Sequence, residues 1–146
     1  MEQKVDWDLE QFNKLFGLRK QDIHTYSPLT LAYLGDAVYE LLIRYYYVEK
    51  GNAPAHDLHV RSSKAVNAAA QSDLIRQIEE KLTEEELAVY KRGRNARSYT
   101  KAKNATTSDY RRATGFEALV GWLFLQERWE RLVTLLHDGL GELGYL

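Results

Sequence analysis

None of the 146 residues is cysteine. Disulfides and thiolate-held metals are therefore excluded, and the absence suits a reducing compartment. Proline occurs only twice, and no Asn-Gly pair marks a tight hairpin. No run approaches the roughly 20 apolar residues of a membrane helix. The start, Met1 to Trp7, is mixed and acidic and lacks the basic-then-apolar pattern of a secretory leader. The expectation is a cytoplasmic protein with no membrane partner. A hydrophobic share of 45% is too high for a disordered chain and sufficient for the core of one domain.

Net charge is also nearly absent, at −1, but its distribution is uneven. Between Lys91 and Arg112 there are eight basic residues and one acid, Asp109, which gives +7. The remainder carries 12 basic and 20 acidic residues, or −8. Such asymmetry points to a polyanion met by one face.

Apolar residues recur at helical spacing, so the expected class is all-α. A first helix is expected over Asp6–Phe16, stopped by Gly17. Ser27-Pro28 caps a second, which runs to about Lys50 before Gly51. A third is expected over about Asp57–Lys81. Thr83 and Glu86 form a capping box for a fourth, ending near Gly93. A polar, basic loop follows to Thr106. The last two helices are expected over about Ser108–Leu125 and Glu127–Asp138, the latter ending before Gly139 and Gly141.

Two acidic residues stand out against their surroundings. In the second helix, Leu31, Leu34, Val38, Leu41 and Tyr45 form one apolar stripe, and Asp36 lies on the other side with Ala32, Tyr33, Glu40 and Ile43. Gly35 beside it costs about 1 kcal/mol relative to alanine in mid-helix. Keeping that cost points to a close backbone approach. The fifth helix repeats the arrangement, with Glu117 between Gly115 and Gly121 and no further charge until Glu127. A charge in so apolar a helix must be paired or bind a cation if buried. Two carboxylates from two packed helices suit Mg²⁺, which binds oxygen ligands and keeps several waters. A solvated or salt-bridged pair fits the residues alone equally well.

At these positions the chain resembles the catalytic domain of the ribonuclease III family. The family's Glu-Phe-Leu-Gly-Asp-Ala-Val is matched from Ala32 to Val38 except at Ala32 and Tyr33. Its Asp-x-x-Glu-Ala-Leu-x-Gly is matched from Thr114 to Gly121 except at Thr114. Arg92-Gly93-Arg94-Asn95-Ala96 matches a run of the compact bacterial branch, mini-ribonuclease III. The likeness extends from about Leu29 to the last helix.

The resemblance implies a homodimer of all-α catalytic domains, Mg²⁺ (with Mn²⁺ as a substitute), and hydrolysis of double-stranded RNA. It places Asp36 and Glu117 at the family's metal-binding and catalytic positions. The branch suggests precursor large-subunit (23S) ribosomal RNA as substrate and leaves room for a ribosomal-protein helper. Ala32 and Thr114 cannot supply anionic ligands. The site is therefore expected to hold one Mg²⁺ firmly, with a second recruited by the RNA phosphate.

About twenty residues follow Leu125, so RNA is expected to bind the single catalytic domain, 1–146, through its own basic segment at about 91–112. Arg92, Arg94, Arg97, Lys101 and Lys103 suit phosphates. Asn95, Ser98, Tyr99 and Thr100 suit the backbone and 2′-hydroxyls. Tyr45, Tyr46, Tyr47, Trp122 and Phe124 are candidates for either a dimer interface or an aromatic core. His56 and His59 lack the spacing of a zinc helix, and Ser62-Ser63-Lys64 resembles no nucleophile elbow. Two other functions stay open: a noncatalytic RNA- or ribosome-binding module, favoured by the missing carboxylates, and a helical adaptor for proteins.

Overall fold

A computed structural model of the chain describes residues 9–97 and 107–146. Among them there is no strand. Seven α-helices appear: α1 (Leu9–Phe16), α2 (Pro28–Lys50), α3 (Ala55–Val66), α4 (Ala68–Ile78), α5 (Glu84–Asn95), α6 (Thr107–Leu125) and α7 (Trp129–Glu142). Single 3₁₀ turns lie at Ile23–Thr25 and Glu79–Lys81.

The capping signals act as expected. Ser27 accepts a bond from the Thr30 amide at the start of α2. Thr83 and Glu86 close a reciprocal capping box on α5. Gly17 takes φ 67° after α1, and the Leu18 amide reaches back to the Asn13 carbonyl, the Schellman way of ending a helix.

Four expectations need correction. The helix expected over 57–81 is broken at Asn67, whose side chain caps α4 at the Ala70 amide; an internal cap outcompetes the continuous periodicity. The fourth helix does not stop near Gly93 but continues to Asn95, so Arg92, Arg94 and Asn95 are helical rather than in a loop. The last helix passes through Gly139 and Gly141 to Glu142. A Cβ on Gly139 would lie 3.0 Å from the Leu74 side chain, so the glycine serves close packing of α7 on α4. The stripe expected on the second helix is also wrong in part: Leu31, Val38, Tyr39 and Ile43 are buried, whereas Leu41 and Tyr45 face outward.

The core is organised around α6. Ten of its residues are buried, including Phe116, Leu119, Trp122 and Leu123, as expected of a helix apolar on all sides. It is enclosed by α2, α4, α5 and α7. Trp122 thus belongs to the core rather than to an interface. Phe124 is half-buried, edge-on to Trp129.

Glycines set the closest approaches. A Cβ on Gly35 would collide with the Glu117 carbonyl, and one on Gly121 with the Leu31 carbonyl. This pairing, 31 with 121 and 35 with 117, shows that α2 and α6 run antiparallel.

A second charged element locks the periphery. Glu86 is buried, and Arg131 of α7 grips it through two hydrogen bonds of 2.9 and 2.8 Å. The same guanidinium donates to the Lys81 carbonyl at 2.8 Å. The Arg131 hydrogen bond is the main reason that the Glu86 carboxyl sits below the usual carboxylate range.

Candidate active site and nucleic-acid interface

The α2–α6 contact brings the two singled-out carboxylates together. Asp36 and Glu117 project from adjacent turns of the antiparallel pair, one residue from Gly35 and within one turn of Gly121. Gly35 removes the side chain that would otherwise hold the helices apart. Asp36 is exposed and Glu117 half-buried, and the two side chains share a hydrogen bond. Two carboxylates so placed cannot both carry full charge. Burial first, then the bond to Asp36 and its charge, push the Glu117 carboxyl up to about 9.

The pair lies at the wall of an open cleft of about 680 Å³ between α2 and α6. Tyr33, Glu40, Tyr110 and Thr114 also line it. The Thr114 hydroxyl donates to the Tyr110 carbonyl at 3.0 Å, which leaves it a neutral helix-bound group. Glu40, one turn beyond Asp36, is bridged to Arg44 at 2.8 Å. Among the described residues no third acidic or histidine side chain joins Asp36 and Glu117 in a ligand cluster. The pair offers only oxygen donors and is electrostatically short of positive charge, so its donor set fits a hard divalent cation. His56 and His59 are exposed on α3, away from this pair.

The basic segment is attached to the same helix. A Cβ on Gly93 would lie 2.8 Å from the Ala118 Cβ and 2.9 Å from the Gly115 Cα. The C-terminal turn of α5 therefore rests on α6 beside Glu117. Arg92 and Arg97 are exposed. Arg94 is half-buried, with its guanidinium over the Tyr90 ring at 5.6 Å from the centroid. The exposed Asn95 carries its side-chain oxygen 3.4 Å from Arg94 Nε. Arg112, at the start of α6, lies 3.9 Å from Asp109. Lys101 and Lys103, with Ser98, Tyr99 and Thr100, lie outside the described residues.

Sequence reasoning put Tyr33 and Glu40 on the side of Asp36 without assigning them to the site, and overlooked Tyr110. Their spacing held the signal: Tyr110 precedes Thr114 by one turn, Tyr33 precedes Asp36 by three residues, and Glu40 follows it by four.

Comparison with known proteins places the chain in a family. Residues 29–128 match the model of the ribonuclease III domain. The Mini-ribonuclease 3 of Clostridium tetani is 49% identical over 118 residues, covering 80% of this chain and 78% of that protein. The Mini-ribonuclease 3 of Enterococcus faecalis is 45% identical over 126 residues, covering 85% and 96%. The crystal structure of a Fusobacterium nucleatum protein superposes with a TM-score of 0.76 at 34% identity, covering 86% of this chain and 97% of that one. The chain belongs to the ribonuclease III family, within its mini-ribonuclease III branch.

Proposed function

We propose that the protein is a divalent-metal-dependent endoribonuclease that cleaves double-stranded RNA as a homodimer, with precursor 23S ribosomal RNA as its substrate. The observation that carries this reading is the Asp36–Glu117 pair, with its proton-holding Glu117, in an open cleft next to the basic end of α5. Asp36 and Glu117 are the residues to hold Mg²⁺. When bound, the ion supplies Lewis acidity to the phosphodiester and lowers the pKa of water.

The chain's own residues do the rest. Arg92, Arg94 and Arg97, with Asn95 and, further along the sequence, Lys101 and Lys103, are suited to hold duplex phosphates, which would position the backbone over the cleft. Tyr33 and Tyr110 shape the cleft wall, and Glu40 is kept in its ion pair with Arg44. A-form RNA is read mainly by shape and charge, which suits the basic end of α5.

The dimer is supported by α2. Tyr33, Leu41 and Tyr45 are 83, 65 and 62% exposed along one face, continued by Val48. With Ala37 between Tyr33 and Leu41, they form an exposed apolar stripe that a monomer seldom leaves in water. No helix among the described residues is long and apolar enough to cross a membrane.

Incubating labelled duplex RNA with Mg²⁺ or with chelator, using wild type, Asp36→Asn and Glu117→Gln, tests the activity. Mg²⁺-dependent cuts in both strands, lost in both variants, are expected. Binding without cleavage by the wild type would instead establish the noncatalytic module, the reading favoured by Ala32 and Thr114.

A further inference from the structure

Helix α1 has no buried residue. Its apolar side chains, Phe12, Leu15 and Phe16, and the adjoining Leu18 are all exposed, Leu15 by 75%. Phe12 and Phe16 stack on each other at 4.1 Å. A bond of 2.8 Å from the Leu9 amide to Glu127 fixes the start of α1 at the turn after α6. Because α2 and α6 are antiparallel, that turn lies at the N-terminal end of α2, as the shared cleft of Ile23, Tyr26, Leu125 and Gln126 confirms.

At the other end of α2 lies an unfilled groove of about 220 Å³ between α2 and α3, bounded by Tyr47, Val48 and Leu58, with Arg44 and His59 alongside. The groove opens where the exposed row from Tyr33 to Val48 ends. An apolar helix and an apolar groove thus occupy opposite ends of one apolar stripe.

We infer that α1 is an arm that docks its Phe12–Leu15–Phe16 face into the α2–α3 groove of a second copy of this chain. The inference rests on the homodimer proposed above. If two α2 stripes pair antiparallel about Leu41, Tyr33 of one copy faces Val48 of the other. The N-terminal end of each α2, where α1 starts, then adjoins the partner's groove.

Area supports the arm. At the usual sizes of such side chains, the exposed α2 row offers on the order of 500 Å² of surface, short of the ~800 Å² per partner of a stable interface. Adding the face of α1 and Leu18 brings the total to roughly 1,000 Å² per partner. The arm therefore supplies the shortfall and leaves neither the helix nor the groove uncovered.

The absence of native cysteine makes the test direct. Leu15→Cys with Val48→Cys in one chain, treated with a short bismaleimide, should give a covalent dimer, whereas either single variant should give little. Sedimentation of Leu15→Glu with Phe16→Glu should show a dimer dissociation constant raised about tenfold or more, with helicity unchanged. A wild-type dimer that is indifferent to these α1 substitutions and gives no double-cysteine dimer overturns the arm but leaves the dimer standing. Efficient cross-linking of Val48→Cys alone indicates parallel α2 helices and also overturns it. A wild-type monomer at micromolar concentration removes the dimer and the arm together.

Discussion

Glu86 and Glu117 are the same residue in opposite electrostatic settings. Both are set into helices that pack on the core. Glu86 meets the Arg131 guanidinium, two backbone-directed caps and a fixed geometry, and its carboxyl is held below the ordinary range. Glu117 meets another carboxylate, and its carboxyl is pushed up to about 9. The first has its counter-charge built into the chain and serves as a staple between α5 and α7. The second lacks one among its protein neighbours in the pair, so bringing a cation there relieves a strain that folding creates. Burial alone does not mark a functional carboxylate; the sign of its partner does.

The comparison breaks most clearly in activity. Glu117→Gln is expected to lower single-turnover cleavage of duplex RNA on the order of 10³-fold, the loss of several kcal/mol of charge stabilisation. Glu86→Gln is expected to leave that rate within a few-fold of wild type once folded protein is compared. Equal losses in the two variants would erase the distinction.

Stability should reverse the order. Arg131→Ala leaves a buried carboxylate without its guanidinium and is expected to cost about 2 kcal/mol in urea unfolding, less than a fully buried pair because Arg131 is itself partly in water. Glu117→Gln, in chelator at pH 8, is expected to raise the melting temperature, because it removes a group that favours its protonated form in the fold.

A smaller effect lies in the pH dependence without metal. Glu117 has its folded pKa raised from 4.5 to about 9. Its contribution is fully present below about 4.5 and is lost as pH rises toward 9. Glu86 has a lowered pKa, so its contribution is present above the ordinary carboxylate range and is lost as pH falls through the lowered value. Melting curves in chelator should therefore show Glu117→Gln gaining on wild type as pH rises from 5 to 9. Glu86→Gln should flatten the acid limb alone.

Much of this arrangement was legible in the sequence. Mid-helix Gly35 and Gly121 announced a close helix crossing, and the structure brings Asp36 and Glu117 together at that crossing. Ser27 and the Thr83–Glu86 box gave two helix starts through local hydrogen bonds. What escaped was long-range or degenerate. Glu86 read as a cap, yet its decisive partner, Arg131, lies 45 residues away. Asn67 fits a helix interior or a cap equally in one dimension, and only tertiary packing selects the cap. The α2 pattern carries two apolar faces, so periodicity could not say that Tyr39 and Ile43 are buried while Leu41 and Tyr45 are not. Gly93 looked like a stop because its contact partner, Gly115, belongs to another helix.

The central claim is that Asp36 and Glu117 together hold the divalent cation. Isothermal titration of Mg²⁺ into RNA-free protein at pH 7.5, with wild type and Glu117→Gln in parallel, tests it most directly. The account predicts one saturable site per protomer in the wild type and none in the variant. Undiminished binding in Glu117→Gln, or two tight sites per protomer in the wild type, would contradict it.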